Sequence, residues 1–159
     1  MKRLTFSDLW SHPANFFSLG FGSGLMPKAP GTFGTLAAVP IYWFLLQGLA
    51  LPWLLAVIGV SFVIGIWLCD ATTKKLGVHD HPGIVWDEFV GLWISCIALP
   101  SGWLWLLWAF VLFRIFDILK PWPIRWLDKR VPGGLGIMVD DVLAGLFALA
   151  LLQLAAMWV

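Results

Sequence analysis

The chain has 159 residues, 60% of them hydrophobic, with ten lysines and arginines against nine acids, a formal net charge of +1 and a mean hydropathy of +0.89. Charged residues make up 12%, where soluble domains carry about a quarter, so an ordinary water-soluble domain is excluded. The near balance of charge also excludes a nucleic-acid binder, whose phosphates call for a basic surplus. One membrane-embedded domain over residues 1–159 is expected, with residues 1–30 forming an interfacial segment and a glycine-rich loop.

At the start, Asp8, His12 and Pro13 interrupt the apolar run that a signal peptide needs. An interfacial segment is expected instead, with Leu4, Phe6, Leu9, Trp10, Phe16 and Phe17 toward lipid. Residues 20–35 read GFGSGLMPKAPGTFGT. Their glycines permit a loop of converging N–H groups, Lys28 supplies charge, and the start of the next helix adds a positive pole. Ser23, Lys28 and Thr32 are therefore candidates for holding a phosphate. Lys28 lacks the G-K-[ST] context of a P-loop, and a tight interfacial turn explains the glycines about as well.

Residues 29 to 69 form a run of 41 without a charge, broken by Gln47, Gly48 and Pro52. The pattern predicts a hairpin of two helices, Gly31 to Leu46 and Pro52 to Cys69. Each is about 25 Å long, slightly short for a ~30 Å hydrocarbon core. Residues 89 to 113 form a second uncharged run, of 25, interrupted by the turn signal Pro100-Ser101-Gly102. One helix is expected over Ile84 to Leu99, with Asp87 and Glu88 in its first turn. Another is expected over Trp103 to Leu119, with Arg114 and Asp117 in its last. The helix dipole favours the first two acids and Arg114, whereas Asp117 sits at the unfavourable end and calls for a cationic partner. After Pro121-Trp122-Pro123 a polar loop is expected to end at Pro132-Gly133-Gly134-Leu135-Gly136, and Asp140-Asp141 to open a fifth helix running to Val159.

These elements predict an all-α, polytopic bundle of about five short transmembrane helices that returns every charge to one face. The far loops carry no Lys or Arg, which places the charged face in the cytoplasm. Trp53, Trp103, Trp105 and Trp158 would mark the far interface, and Trp67, Trp86, Trp122 and Trp126 the near one. Cys69 and Cys96 fall near opposite faces, beyond the roughly 7 Å reach of a disulfide.

Three polar clusters share the charged face. A glycine lies one turn after each acidic doublet, Gly91 after Asp87 and Gly145 after Asp141. Small residues at that spacing let two helices approach, which would bring carboxylates within the ~2.1 Å that Mg²⁺ requires. One doublet alone reads better as a helix cap; two doublets plus Asp117 near a membrane boundary reverse that preference in favour of a cation. In the second cluster Arg114 and Asp117 share a helix face, and Lys120 and Arg125 extend the positive charge toward a phosphoryl group. A basic collar for anionic lipid heads is the alternative for Arg125, Lys129 and Arg130. The third cluster is the glycine-rich loop. His79 is a candidate general acid or auxiliary ligand beside Asp80 and His81, and the carboxylate-rich set favours magnesium over zinc. Cysteine-dependent phosphatase, Asp-x-Asp and CDP-alcohol transferase signatures are absent. The residues alone leave a transporter or assembly protein open, as well as a lipid phosphatase of broad specificity.

In residues 20–35, in 79–81 with 84–91, in 113–117 with 120–125, and in 133–141 with Ala144-Gly145, the sequence resembles the bacterial phosphatidylglycerophosphatase A family. That resemblance implies a Mg²⁺-dependent enzyme of the bacterial inner membrane that converts phosphatidylglycerophosphate to phosphatidylglycerol and inorganic phosphate. Its partner would be the phospholipid in the membrane, with no protein partner implied. Residues and resemblance together nominate Asp87, Glu88, Asp140 and Asp141 as catalytic metal ligands, with Asp117 and His79 as further catalytic candidates. Lys28, Ser23, Thr32, Arg114, Lys120 and Arg125 would hold the substrate.

Overall fold

The computed structural model describes residues 4–77 and 81–158, and these are all helical or looped, with no strand. Two short helices, α1 (Phe6–Trp10) and α2 (Pro13–Ser18), lead into a tight helical turn over Gly20–Leu25. Helix α3 (Pro30–Ile41) follows and widens into a π turn, Tyr42–Leu46, just after its internal Pro40. Then come α4 (Leu51–Leu76), α5 (Trp86–Ser95), α6 (Trp103–Leu119), α7 (Ile124–Asp128) and α8 (Gly133–Ala156). Two of these, α4 and α8, are long and apolar enough to cross a membrane.

The breaks fall where the turn chemistry puts them: α4 starts beside Pro52, and α6 spans the predicted residues after Gly102. Four expectations need correction. Helix α4 continues past Cys69 to Leu76, where Gly77 in the left-handed region (φ 67°) closes it. Helix α5 is shorter than Ile84 to Leu99, and every residue from Asp87 to Ser95 is buried. The stretch at Gly133–Gly136 is helix, not loop, so Asp140 and Asp141 lie two turns inside α8 and do not open it. Glycine is needed there for close approach: a methyl at Gly134 would overlap the Ile66 carbonyl, and one at Gly136 the Val131 carbonyl. Finally, Leu9 points inward at 2% exposure, whereas Phe6 and Trp10 face outward as expected.

Helix α8 is the hub, packing on α4, α5, α6 and α7. It meets α5 back to back, since a Cβ on Gly145 would sit 2.5 Å from the Gly91 carbonyl oxygen, and one on Gly91 would strike the Phe113 ring. Ser95 Oγ, one turn on, donates to the Gly91 carbonyl at 3.0 Å. At the other end of α8, Gln153 Nε2 donates to the Ile97 and Ala98 carbonyls beyond α5 (2.8 and 3.1 Å). Helix α2 is tied to α4 by a buried chain in which Thr72 Oγ1 lies 2.7 Å from Ser18 Oγ and donates to Asn15 Oδ1 at 3.2 Å. Thr72→Val strips this chain of its centre, leaving buried acceptors unmatched. A loss of about 1–3 kcal/mol is expected, read as a fall in thermal midpoint of roughly 2–4 °C per kcal/mol in detergent.

Candidate functional site

Because α5 and α8 cross at a glycine pair, the acids one turn before each glycine are drawn together. Carboxylate oxygens of Asp87, Glu88 and Asp141 lie within 4.8 Å of one another. All three residues are buried, as is Asp140. Asp141 also lies within hydrogen-bonding reach of Asp117, on α6. One oxygen on each of Asp87, Glu88, Asp140 and Asp141 is buried without a hydrogen-bond partner among the described residues. Orphaned buried carboxylate oxygens are costly, and a hard cation taking oxygen ligands satisfies them. The cluster is thus chemically fit to hold a metal ion.

Two cations border the acids. Arg114 Nη1 contacts Asp117 Oδ2 at 2.5 Å and Glu88 Oε1 at 3.7 Å, which is the partner Asp117 required. The same nitrogen donates to Thr35 Oγ1 at 3.5 Å, while Thr35 donates to the Gly31 carbonyl at 2.9 Å. Lys120 Nζ pairs with Asp140 Oδ2 and lies 3.2 Å from Asp128 Oδ1. Burial pulls the Lys120 ammonium toward neutrality, but Asp140 and Asp128 outweigh it and hold its pKa above the ordinary lysine value. Lys120 is the cap of α6 and sits in the left-handed region at φ 42°, a strained conformation for a side-chain-bearing residue that aims it across at α8. Removing the guanidinium by Arg114→Met would leave Glu88 and Asp117 without their cation in a site where its side chain is 13% exposed. We expect about 3 kcal/mol of destabilisation, checked by thermal unfolding.

Helix α3 closes the site. A Cβ on Gly31 would lie 2.3 Å from Glu88 Oε1 and 3.2 Å from both Arg114 Nη atoms, so the first turn of α3 sits directly against the ends of these two side chains. Pro30 opens the helix, and the N–H groups of residues in such a first turn have no partner within the helix.

Of the predicted residues, the fold gathers Asp87, Glu88, Asp141, Asp117 and Arg114, with Asp140 and Lys120 as an adjoining pair. Thr32 stands in the first turn of α3. Ser23 uses its hydroxyl to donate to the Gly20 carbonyl at 2.8 Å, closing the glycine-rich turn. Lys28, in the segment before α3, and Arg125, on α7, are both exposed. His79 lies outside the described residues. His81 is buried, and its Nδ1 accepts the Gly83 N–H at 3.0 Å. Sequence reasoning did not single out Thr35, Gly31 or Asp128. Thr35 follows Gly31 by one helical turn, the available signal that both face the same way. A separate cavity of about 380 Å³, lined by Tyr42, Gln47, Cys96 and Ser101, lies at the opposite helix ends, away from the acids.

The arrangement defines a helical protein with membrane-length helices and an acidic, metal-competent centre flanked by Arg and Lys. The chain belongs to the phosphatidylglycerophosphatase A family, whose model matches residues 16–156. It is similar to the phosphatidylglycerophosphatase A of Escherichia coli (strain K12), at 51% identity over 145 residues, 89% of this chain and 83% of that one. The phosphatidylglycerophosphatase A of Haemophilus influenzae (strain Rd) is 47% identical over 148 residues, covering 92% and 91%. A protein of Bacteroides thetaiotaomicron, provisionally named a phosphatidylinositol-3-phosphatase, is 44% identical over 147 residues, covering 88% and 91%. No solved structure matches the chain.

Proposed function

We propose that this chain is a multi-pass lipid phosphatase that hydrolyses the terminal phosphate monoester of phosphatidylglycerophosphate, with Mg²⁺ held by Asp87, Glu88 and Asp141. The observation that carries the reading is the set of buried carboxylate oxygens at a helix crossing that have no hydrogen-bond partner among the described residues, in a chain of this family. The polarity of the fold supports a bilayer setting. Asp141 is 2% exposed while Val63 is 65% and Phe44 78% exposed, the inverse of a water-soluble protein. Helices α3, α4, α6 and α8 would meet lipid around α5, whose enclosure keeps its acids off the hydrocarbon. Loops at the far helix ends carry no Lys or Arg, favouring a cytoplasmic active face. Residues 1–159 would form one domain.

A divalent cation at the carboxylates supplies Lewis-acid polarisation of the phosphoryl oxygens and a more acidic water. The protein's own groups do the rest. Arg114, whose Nε is unpaired among the described residues, and the first-turn N–H groups of α3 face the equatorial oxygens, whose charge they stabilise in flight. Asp117 and Thr35 hold the guanidinium in place. Lys120 pairs with Asp140 beside the trio, and Lys28, Thr32 and Arg125 receive the head group at the rim. As the water oxygen bonds to phosphorus and the bond to the glycerol oxygen breaks, one water proton stays on the released phosphate and the other passes to solvent. The glycerol oxygen takes a proton, for which His79, recharged from solvent, is the proposed donor, and leaves as the phosphatidylglycerol hydroxyl.

Phosphate release by purified protein from phosphatidylglycerophosphate, lost on chelation and restored by Mg²⁺, tests this reading. No release under any divalent ion would overturn it and favour a transporter or assembly role. The Bacteroides relative's name raises a second reading, a wider head-group range. Competition with phosphatidic acid and phosphatidylinositol-3-phosphate decides it, because comparable hydrolysis of all three would replace the narrow specificity.

A further inference from the structure

An apolar groove of about 420 Å³ lies between α3 and α6, walled by Leu36, Val39 and Trp43 on one side and Trp103, Leu107 and Phe110 on the other. The same two helices carry Thr32, Gly31 and Arg114 at the acidic site, so the groove shares its walls with that site. On α6 the stripe Arg114, Phe110, Leu107, Trp103 runs at helical intervals of four, three and four, and on α3 the stripe Thr32, Leu36, Val39, Trp43 does the same. Residues so spaced share one face. Each track begins polar at the acids and becomes wholly apolar over about 16 Å, the rise of eleven helical residues. A phospholipid has that same polarity profile, from phosphate to acyl chain.

We infer that the α3–α6 groove seats one acyl chain of the lipid substrate while its phosphate lies among Arg114, Thr32 and the acids, an inference that rests on the phosphatase reading above. A tail gains no hydrophobic transfer energy by leaving lipid for a groove, since the bilayer is as apolar as leucine. The groove's contribution is therefore orientation: a tail held along α3 and α6 points the monoester at the carboxylates, and misplacing it by about 1 Å costs up to ~10²-fold in rate. A second groove of about 520 Å³ between α6 and α8, lined by Leu104, Trp108, Leu151 and Ala155, serves as the contrast. Leu112 brings its α6 wall within two residues of Arg114, but its α8 wall begins ten residues beyond Asp141, about 15 Å away along the helix, so only one of its two walls reaches the acids.

The test compares kcat/KM for dioleoyl and dihexanoyl phosphatidylglycerophosphate in mixed micelles. Leu36 and Leu107 are 53% and 46% exposed, so tryptophan at either fills the groove without entering the core. In Leu36→Trp and Leu107→Trp the long-to-short ratio is expected to fall about tenfold, and in Ala155→Leu to stay at the wild-type value. Leu107→Ala, which widens the groove, is expected to shift the ratio in the opposite sense from Leu107→Trp and remains informative where a tryptophan variant fails to fold. A ratio unmoved by all groove variants, or a fall with Ala155→Leu of the same size, overturns the assignment. Absence of release from the wild type removes the phosphatase reading and the groove's role together, a result distinct from an active wild type with an insensitive ratio.

Discussion

Asp141→Asn is expected to lower phosphate release at least 10²–10³-fold, roughly the loss that follows removal of a single electrostatic contact to a transition state, and to make the metal-free protein more heat-stable. Both effects arise from one geometry. Asp141 is 2% exposed, shares a 4.8 Å cluster with Asp87 and Glu88, and lies within hydrogen-bonding reach of Asp117. Without a cation, these carboxylates repel one another in a low-dielectric interior, and one oxygen of Asp141 has no partner among the described residues. Asparagine keeps the shape, removes the charge and adds a donor that Asp117 can accept, so a gain of about 1 kcal/mol, or ~2–4 °C, is expected. Added Mg²⁺ should raise the thermal midpoint of the wild type and leave the variant's unchanged, because a ligand stabilises only the state that binds it. A variant that keeps its rate, or melts lower than wild type with an intact Mg²⁺ response, would remove Asp141 from the metal site.

Gly145→Leu is expected to abolish both the folded bundle and the Mg²⁺-dependent stabilisation. A first side-chain carbon at residue 145 already comes to 2.5 Å from the Gly91 carbonyl oxygen and 3.2 Å from Ile94 Cβ. Leucine can fit only by driving α8 from α5, which costs upwards of the ~1–3 kcal/mol typical of overpacking and parts Asp141 from Asp87 and Glu88. Gly59, in the exposed middle of α4, has nothing within 4 Å of its would-be Cβ. Gly59→Ala is therefore expected to be neutral or to add up to ~1 kcal/mol through helix propensity. Thermal unfolding of the two variants with and without Mg²⁺ separates a helix-crossing role for Gly145 from a general intolerance of larger residues. Equal behaviour at both positions would contradict the crossing.

The acids were legible because charge is so scarce in this chain: the doublets Asp87-Glu88 and Asp140-Asp141 stand at the edges of long apolar runs, each doublet followed about one turn on by a glycine. The need of Asp117 for a cation was legible too, from its place at the C-terminal end of a helix, and Arg114 supplies it at 2.5 Å. Partner choice was not. Four carboxylates looked alike as metal ligands, yet Lys120 claims one oxygen of Asp140, and Ser23 donates to a carbonyl in its own turn. Such assignments depend on side-chain reach across helices, which spacing along one helix does not encode. Thr35 escaped notice for the same reason, since its value lies in standing between the Gly31 carbonyl and Arg114.

The glycines show where local signals stop. Gly133 to Gly136 have the composition of a loop, but contact between backbones rewards them inside α8, where Ile66 and Val131 carbonyls fill the space of their missing side chains. Hydropathy, charge spacing and Pro/Gly punctuation by themselves determined that the chain is helical and where most helices turn, because each of these follows from neighbours along the chain. Only the tertiary structure decided that α5 is sheathed by the other helices, that three carboxylates converge while the fourth is held by a lysine, and that an apolar track leads away from them. Those outcomes depend on which helix faces meet, and helices meet where two glycines permit it.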